Sequence, residues 1–398
     1  MKSTDAFING EDILVITAGY WDTAHRIRHK MPSQWARAGC RVLWIEQTPF
    51  APQDWTKARL VRSLKGDLRE VEPRLFVGAM PPALPSMYRG DARAEAFKAI
   101  QAPLYYRQLR SHIKSLDFNP KWTVLFQQAA RRDVLSLFPE SVRVYYHHDV
   151  YGFGHATPSM QAALVDCCKR ADMVWCVAAE HRDELMQYNV NTHHLPHAVD
   201  EQWYTKNRDE APPEYANIPA PRAVYTGLFQ EKIDLPLLIG AAKERSDWSF
   251  VFVGPVEPKN LDTSLIEPLR SLPNVYFLGE RPVSALPGFM EGAAVLMLPY
   301  CATENMKSAG LSLKFFEYLI SGRPVVVAPY TKMQVPETLY YLADGPTEWS
   351  EILTHLKNGD DEMSRERRIR AARENSYAAR LDTQRTLLAA CAKRRGLS

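Results

Sequence analysis

Residues 311–328 read Leu-Ser-Leu-Lys-Phe-Phe-Glu-Tyr-Leu-Ile-Ser-Gly-Arg-Pro-Val-Val-Val-Ala, and the architecture of the chain is legible from them. Ser312 is a residue type that caps helices, and Leu313, Phe316, Leu319 and Ile320 recur at helical spacing. Gly322 suits the left-handed turn that ends a helix, and Pro324 bars its continuation. Residues 325–328 form an apolar, largely β-branched run of the kind buried inside a parallel sheet. The stretch is a loop, a two-turn helix and a strand. Two charges interrupt it, Lys314 in the first turn and Glu317 three residues on, sharing one face. A helix N-terminus attracts anions, Lys314 adds a full charge, and Glu317 can accept hydrogen bonds from hydroxyls. Phosphate with sugar hydroxyls describes a nucleotide. An ordinary helix–strand unit with a solvated Lys and Glu fits the same letters, so the residues alone leave both readings open.

The length of 398 residues suits two domains better than one core. Hydrophobic and charged contents of 46% and 24% are those of a globular protein. A formal net charge of +3 gives no footing for nucleic acid, and none is expected as a partner. The six cysteines show no paired metal-site spacing and no signal peptide is evident, so free thiols in a reducing cytoplasm are expected. No apolar run is long enough to span a bilayer. No Asp-x-Asp pair suggests a metal-bound sugar nucleotide, and neither metal nor cofactor is expected.

In the first half, 12–17 reads as a buried strand running into Ala-Gly-Tyr-Trp-Asp, with no Gly-x-Gly-x-x-Gly fingerprint. A helix over 24–38 and a strand over 41–46 follow. Trp21 in that first loop offers a ring on which a sugar can stack, or simply a packing aromatic. The 55–118 stretch is less regular and basic. Phe97, Ile100 and Leu104, then Tyr105, Leu109, Ile113 and Leu116, fall at helical spacing, with Pro103 expected to kink or break the helix. Such a basic amphipathic helix either lies on anionic lipid or packs on its own domain. Strands are expected over 122–126 and 142–147, the second ending in His147-His148-Asp149. A carboxylate at a strand's carboxyl end can serve as a general base, with the two histidines as competitors. Shared metal coordination is disfavoured, because neighbours on a strand face opposite ways. A solvated polar loop is the plain alternative.

Prolines 212, 213, 219 and 221 mark a linker. Strands over 222–226 and 249–253 end at Gly227 and Gly254, where a backbone without Cβ lets N–H groups approach a phosphate. Strands at 274–279 and 294–298 follow, with Tyr300 beyond the last, lining a donor cleft or supporting the sheet. The alternation of strands and helices derives two open parallel sheets of the α/β class.

The 313–326 segment resembles the donor-binding segment of bacterial glycosyltransferases of the family-4 kind, especially the teichuronic-acid-type branch. The resemblance runs in order over nearly the whole chain and is weakest over 55–118. It implies the GT-B fold: an acceptor-side Rossmann-like domain (1–205), a linker (206–221), a nucleotide-sugar domain (222–375) facing it across a cleft, and a C-terminal helix (376–398) crossing back. It implies that Lys314 meets the donor diphosphate and Glu317 the ribose, with Leu313, Gly227, Arg281 and Tyr300 around the donor. Tyr20-Trp21-Asp22 is similar to the branch's acceptor-side Trp-Asp. Tyr145-Tyr-His147-His148-Asp149 resembles the matching segment of the xanthan-type glucuronosyltransferase, which implies Asp149 as base and the histidines beside the acceptor. Two departures stand out: Leu311-Ser312 replaces a common Ser-Pro, and Ala309 occupies the place of a Glu carried by retaining relatives. An inverting, metal-independent transfer is therefore expected, from a UDP-sugar to a carbohydrate or polyprenyl-linked acceptor in bacterial surface-glycan synthesis. The protein is expected in the cytoplasm, peripheral on the inner membrane. The alternatives are a GT-B nucleotide-sugar epimerase and a non-catalytic nucleotide-sugar-binding subunit.

Overall fold

A computed structural model of the chain describes residues 10–17, 19–23, 27–46, 56–82, 92–126, 129–148, 158–257, 262–303, 306 and 310–397. It divides into two compact units, Met1–Pro196 with Arg380–Ser398, and His197–Ala379.

The first unit is built on the strands β1 (Asp12–Ile16), β2 (Arg41–Ile45), β3 (Leu68–Glu72), β4 (Leu75–Gly78), β5 (Pro120–Phe126), β6 (Val142–His147), β7 (Met173–Cys176) and β8 (Thr192–His194). They form one sheet in the order β3-β4-β2-β1-β5-β6-β7-β8. All neighbours are parallel except the edge hairpin of β3 and β4. Every residue of β1 is buried, as expected of a strand covered on both faces. Leu14 pairs with Leu43 and Ile16 with Ile45, and these side chains share a core with Leu125, Tyr145 and Val174.

Helices α1 (Ile27–Arg37), α2 (Lys57–Lys65) and α3 (Ala92–Ser115) follow β1, β2 and β4. The C-terminal helix, Tyr377–Arg395, is tied to this unit along its length. Trp35 donates to Gln384 Oε1 at 2.8 Å, and Arg395 donates to Asp172 at 3.0 Å and to the Pro139 carbonyl at 2.7 Å.

Of the kink or break expected at Pro103, a break is absent: α3 runs through it, and the residue whose carbonyl loses its helical partner, Ala99, is exposed and so can be solvated. Of the apolar residues at helical spacing, Ile100 and Leu104 are exposed, while Tyr105 and Leu109, with His112, carry the packing.

The second unit holds β9 (Arg222–Thr226), β10 (Ser249–Val253), β11 (Val275–Gly279), β12 (Val295–Leu298), β13 (Val325–Val327) and β14 (Tyr341–Leu342), all parallel, in the order β11-β10-β9-β12-β13-β14. The chain steps outward from β9 to β11, then returns to the other side of β9 with β12. That reversal splits the connecting loops at the carboxyl ends of β9 and β12, which is where open α/β sheets hold ligands. The first unit reverses in the same way between β1 and β5.

Helix α4 (Leu235–Glu244) is capped by Asp234, whose side chain accepts from Leu237 N. Helix α5 (Leu313–Leu319) buries Phe315, Phe316, Tyr318 and Leu319 in the core of this unit, and Gly322 at φ 71° closes its end. Residues 206–221, expected to link two domains, pack on the second unit instead. Tyr215 is buried there with its hydroxyl donating to the Phe289 carbonyl at 2.8 Å, and Arg222 lies 4.3 Å from its ring.

Candidate functional site

At the switch point of the second unit, β9 ends in Thr226 and Gly227, the latter at φ 125°. A Cβ on Gly227 would collide with Cε and Nζ of Lys314, so the glycine leaves the space that the lysine fills. Lys314 Nζ lies 6.0 Å from the centre of the Tyr225 ring. Tyr225 meets Tyr300 edge-on at 6.3 Å, and Lys232 Nζ lies 4.7 Å over the Tyr300 ring. Two lysines thus cover two adjoining tyrosines at the ends of β9 and β12. Burial drives the hydroxyls of Tyr225, Tyr300 and Tyr318 well above the usual tyrosine range, so all three stay neutral, and the Tyr225 and Tyr300 rings meet the ammonium groups as uncharged π systems.

The helix carrying Lys314 is locked to the sheet. The Tyr318 hydroxyl accepts from Thr226 N at 2.9 Å, and the Tyr330 hydroxyl accepts from Ser312 N at 3.2 Å. Ser312 has the extended backbone of an N-cap, but its side chain makes no capping bond, contrary to expectation. The Tyr330 hydroxyl takes its backbone N–H and fixes the helix start in its place. Glu317, half-buried, follows Lys314 by three residues on α5, and Leu313 is half-buried at the helix's first position.

The glycines act differently from the sequence reading. Gly227 N donates to the Val253 carbonyl at 2.7 Å and Gly254 N to the Gly279 carbonyl at 2.8 Å, so both N–H groups extend the parallel ladder rather than aim at a ligand. Their contribution is steric: a Cβ on Gly254 would collide with the Gly227 carbonyl. Arg281 is also committed elsewhere, donating to Glu214 at 2.6 Å and to the Glu280 carbonyl at 2.9 Å. Tyr300 is 1% exposed and supports the sheet. It also walls a cavity of about 240 Å³, together with Asp234, Ala328, Pro329, Asp344 and Gly345. Lys232 went unread in the sequence; its only signal was a cation five residues beyond Gly227 in a strand-end loop. Among the described residues no cluster of three or more His, Cys, Asp or Glu could hold a metal ion.

In the first unit, Trp21 follows β1 and packs edge-on against His29 at 5.3 Å and Trp44 at 5.4 Å, remaining half-buried. Asp22 is held by Arg59 and Arg62 of α2, each at 2.8 Å. Burial raises the Asp22 pKa, but hydrogen bonds from the two arginines outweigh it and hold the carboxyl below its usual range. Arg28 lies against Gly19, where a Cβ would clash with its guanidinium, so a cation covers the glycine beyond the first strand here too.

Asp149 lies outside the described residues. His147, at the end of β6, is fully buried, and its pKa is lowered to about 3 by burial first, then by His181 and His148. His148 faces the other way, half-buried, with its ring 5.6 Å from Phe126. The alternation anticipated for the pair holds, and it leaves His147 in the core as a neutral imidazole.

The family described as "Glycosyl transferases group 1" matches residues 220–357, most of the second unit. A Bacillus subtilis (strain 168) protein named as a teichuronic acid biosynthesis glycosyltransferase, TuaH, is 27% identical over 222 residues. That match spans 52% of this chain and 55% of the relative, so the chain covers about half the length of the curated relative it matches. Among solved structures, sucrose-phosphate synthase from Thermosynechococcus elongatus superposes with a TM-score of 0.63 at 14% identity, over 96% of this chain and 100% of that one. The chain has the GT-B fold, and its second unit is similar to the group 1 glycosyltransferases. Another GT-B structure, Anabaena HepE in complex with UDP and glucose, matches with a TM-score of 0.57 at 14% identity, over 97% and 98% of the two chains. The two sheets with switch points at β1/β5 and β9/β12 are the paired Rossmann-like units of the GT-B fold.

Proposed function

We propose that this GT-B protein transfers a sugar from a nucleotide-diphosphate-sugar, UDP-linked, to a carbohydrate or polyprenyl-linked acceptor in bacterial surface-glycan synthesis. The observation that carries the reading is the Lys314 ammonium filling the space left by Gly227 at the β9/β12 switch point. The name of TuaH supports a surface polymer, and the UDP in the HepE complex supports the donor.

In this reading Lys314, with Lys232 nearby, receives the diphosphate, and Glu317 accepts hydrogen bonds from the ribose hydroxyls. An acceptor hydroxyl attacks the anomeric carbon from the face opposite the diphosphate, so the configuration inverts. Asp149 takes the hydroxyl proton as the new C–O bond forms. The old C–O bond breaks with its electrons going to the diphosphate, whose growing charge Lys314 offsets without a metal. Trp21 and Asp22 flank the acceptor.

Isothermal titration of UDP into the wild type, Lys314→Ala and Glu317→Ala tests the donor site. A lost hydrogen bond to a charged group is worth about 1.5–3 kcal/mol, or roughly tenfold to more than a hundredfold in affinity. Wild-type affinity in both variants removes the assignment.

A further inference from the structure

The cavity of about 240 Å³ in the second unit lies at the carboxyl ends of β12, β13 and β14, against the first turn of α4. Asp234 and Tyr300 meet in its wall because the loop after β9 is laced onto the end of β12. Cys301 N donates to the Lys232 carbonyl at 2.8 Å, and Asp234 N donates to the Pro299 carbonyl at 2.8 Å. The same loop carries the Lys232 ammonium to 4.7 Å over the Tyr300 ring. Tyr300 in turn meets Tyr225, the ring that faces the Lys314 ammonium. The cavity therefore begins at the tyrosine where the row of two ammonium groups ends.

Its wall offers two kinds of surface. Ala328, Pro329 and Pro346 are apolar, while Asp234 and Asp344 supply carboxylates from separate loops, and no lysine or arginine lines it. One Asp234 oxygen accepts from Leu237 N at 2.9 Å, which leaves the other for a ligand. Pockets for drug-sized molecules start at about 300 Å³, so this one suits a single ring and not a whole nucleotide. A pyranose matches such a wall, with its C–H faces on proline and alanine and its hydroxyls donating to the carboxylates. A free amine would satisfy the carboxylates but make no use of the ammonium groups beside them. A diphosphate sugar uses both, with phosphates on Lys314 and Lys232 and the ring beyond Tyr300. A uronic acid would bring a third carboxylate into a wall that has no cation to receive it, and like charges brought together weaken binding. We propose that this cavity holds the sugar of the donor, and that Asp234 and Asp344 select an uncharged hexose against a uronic acid. The inference rests on the proposed function and names the class of donor sugar at that site.

Calorimetric titration of the full-length chain compares UDP, UDP-glucose, UDP-galactose and UDP-glucuronate. The better of the two neutral sugar nucleotides should bind about tenfold tighter than UDP, through the added hydrogen bonds to carboxylates. UDP-glucuronate should bind about tenfold or more weaker than that neutral sugar nucleotide. Asp344 is exposed, so Asp344→Asn and Asp344→Lys should leave the melting temperature unchanged. Asp234→Asn keeps an oxygen that can cap α4. Each Asn variant should lose about tenfold in affinity for the neutral sugar nucleotide and keep the wild-type affinity for UDP. Asp344→Lys should raise UDP-glucuronate to at least the affinity of the neutral sugar nucleotide. UDP binding that depends on Lys314, combined with UDP-glucuronate bound as tightly as the neutral compounds, overturns this inference and leaves the donor assignment standing. The same holds if the three Asp variants change none of the four affinities. UDP affinity indifferent to Lys314→Ala overturns both.

Discussion

Gly227→Ala perturbs the donor site without touching a charged residue. The added methyl falls on Cε and Nζ of Lys314, the tip of a flexible side chain that can swing aside. At φ 125° an L residue is also strained, at a cost of about 1–3 kcal/mol. For a unit of this size, each kcal/mol lowers the melting temperature by about 2–4 °C. If Lys314 holds the diphosphate as proposed, displacing the ammonium removes that hydrogen bond, so UDP affinity should fall by about tenfold to a hundredfold. The assay is calorimetric titration of UDP with parallel melts, on Gly227→Ala, Lys314→Ala and the double variant. Because the methyl acts by pushing away the same ammonium, the double variant should bind UDP no worse than Lys314→Ala alone. Gly254→Ala is the contrast: its methyl meets the Gly227 carbonyl, backbone that cannot swing away, so its main effect should be on stability. Wild-type UDP affinity in Gly227→Ala, or additive losses in the double variant, would refute the steric role assigned to the glycine.

Asp149→Asn keeps the size of the proposed base and removes its basicity; transfer should fall by about 10²–10⁴ while UDP affinity and melting temperature hold, as kinetics and calorimetry would show. If full transfer survives, the base lies elsewhere. Stability should fall on acidification below about pH 6.5, because the unfolded chain then binds protons that buried His147 refuses until about pH 3. At pH 5 the loss from this residue is about 2 kcal/mol, fading to almost none by about pH 7.5, where both states are neutral. Urea unfolding at pH 7 and pH 5 measures it, and a slope unchanged in His147→Phe would contradict its burial as a neutral group.

The helix–strand stretch at 311–328 and the strands ending at Gly227 and Gly254 were readable in sequence because local pattern determines them. Apolar runs of β-branched residues stop at glycine, and a short amphipathic helix stops at Gly322. The conjunction of Lys314 with Gly227 was half legible: both residues stood out, but not that one fills the space the other leaves, since 87 residues separate them (314 minus 227). Arg281 reads as a free cation in sequence because its partner, Glu214, lies 67 residues away. Which face of α3 packs was not legible for a related reason. Apolar letters at helical spacing occur on both sides of Pro103, and only packing on the sheet selects Tyr105 and Leu109 over Ile100 and Leu104. A strand is readable at 74–79, where β4 lies, but β3 left no signal, because the half-exposed Leu-Arg-Glu-Val-Glu carries too few apolar residues to announce itself.

The most direct test of the donor assignment is a crystal of this protein soaked with UDP. The account predicts the diphosphate within hydrogen-bonding distance of Lys314 Nζ, beside Gly227, with the ribose hydroxyls on the Glu317 carboxylate. A nucleotide bound in the same crystal with its phosphates away from Lys314 and its ribose away from Glu317 would contradict it.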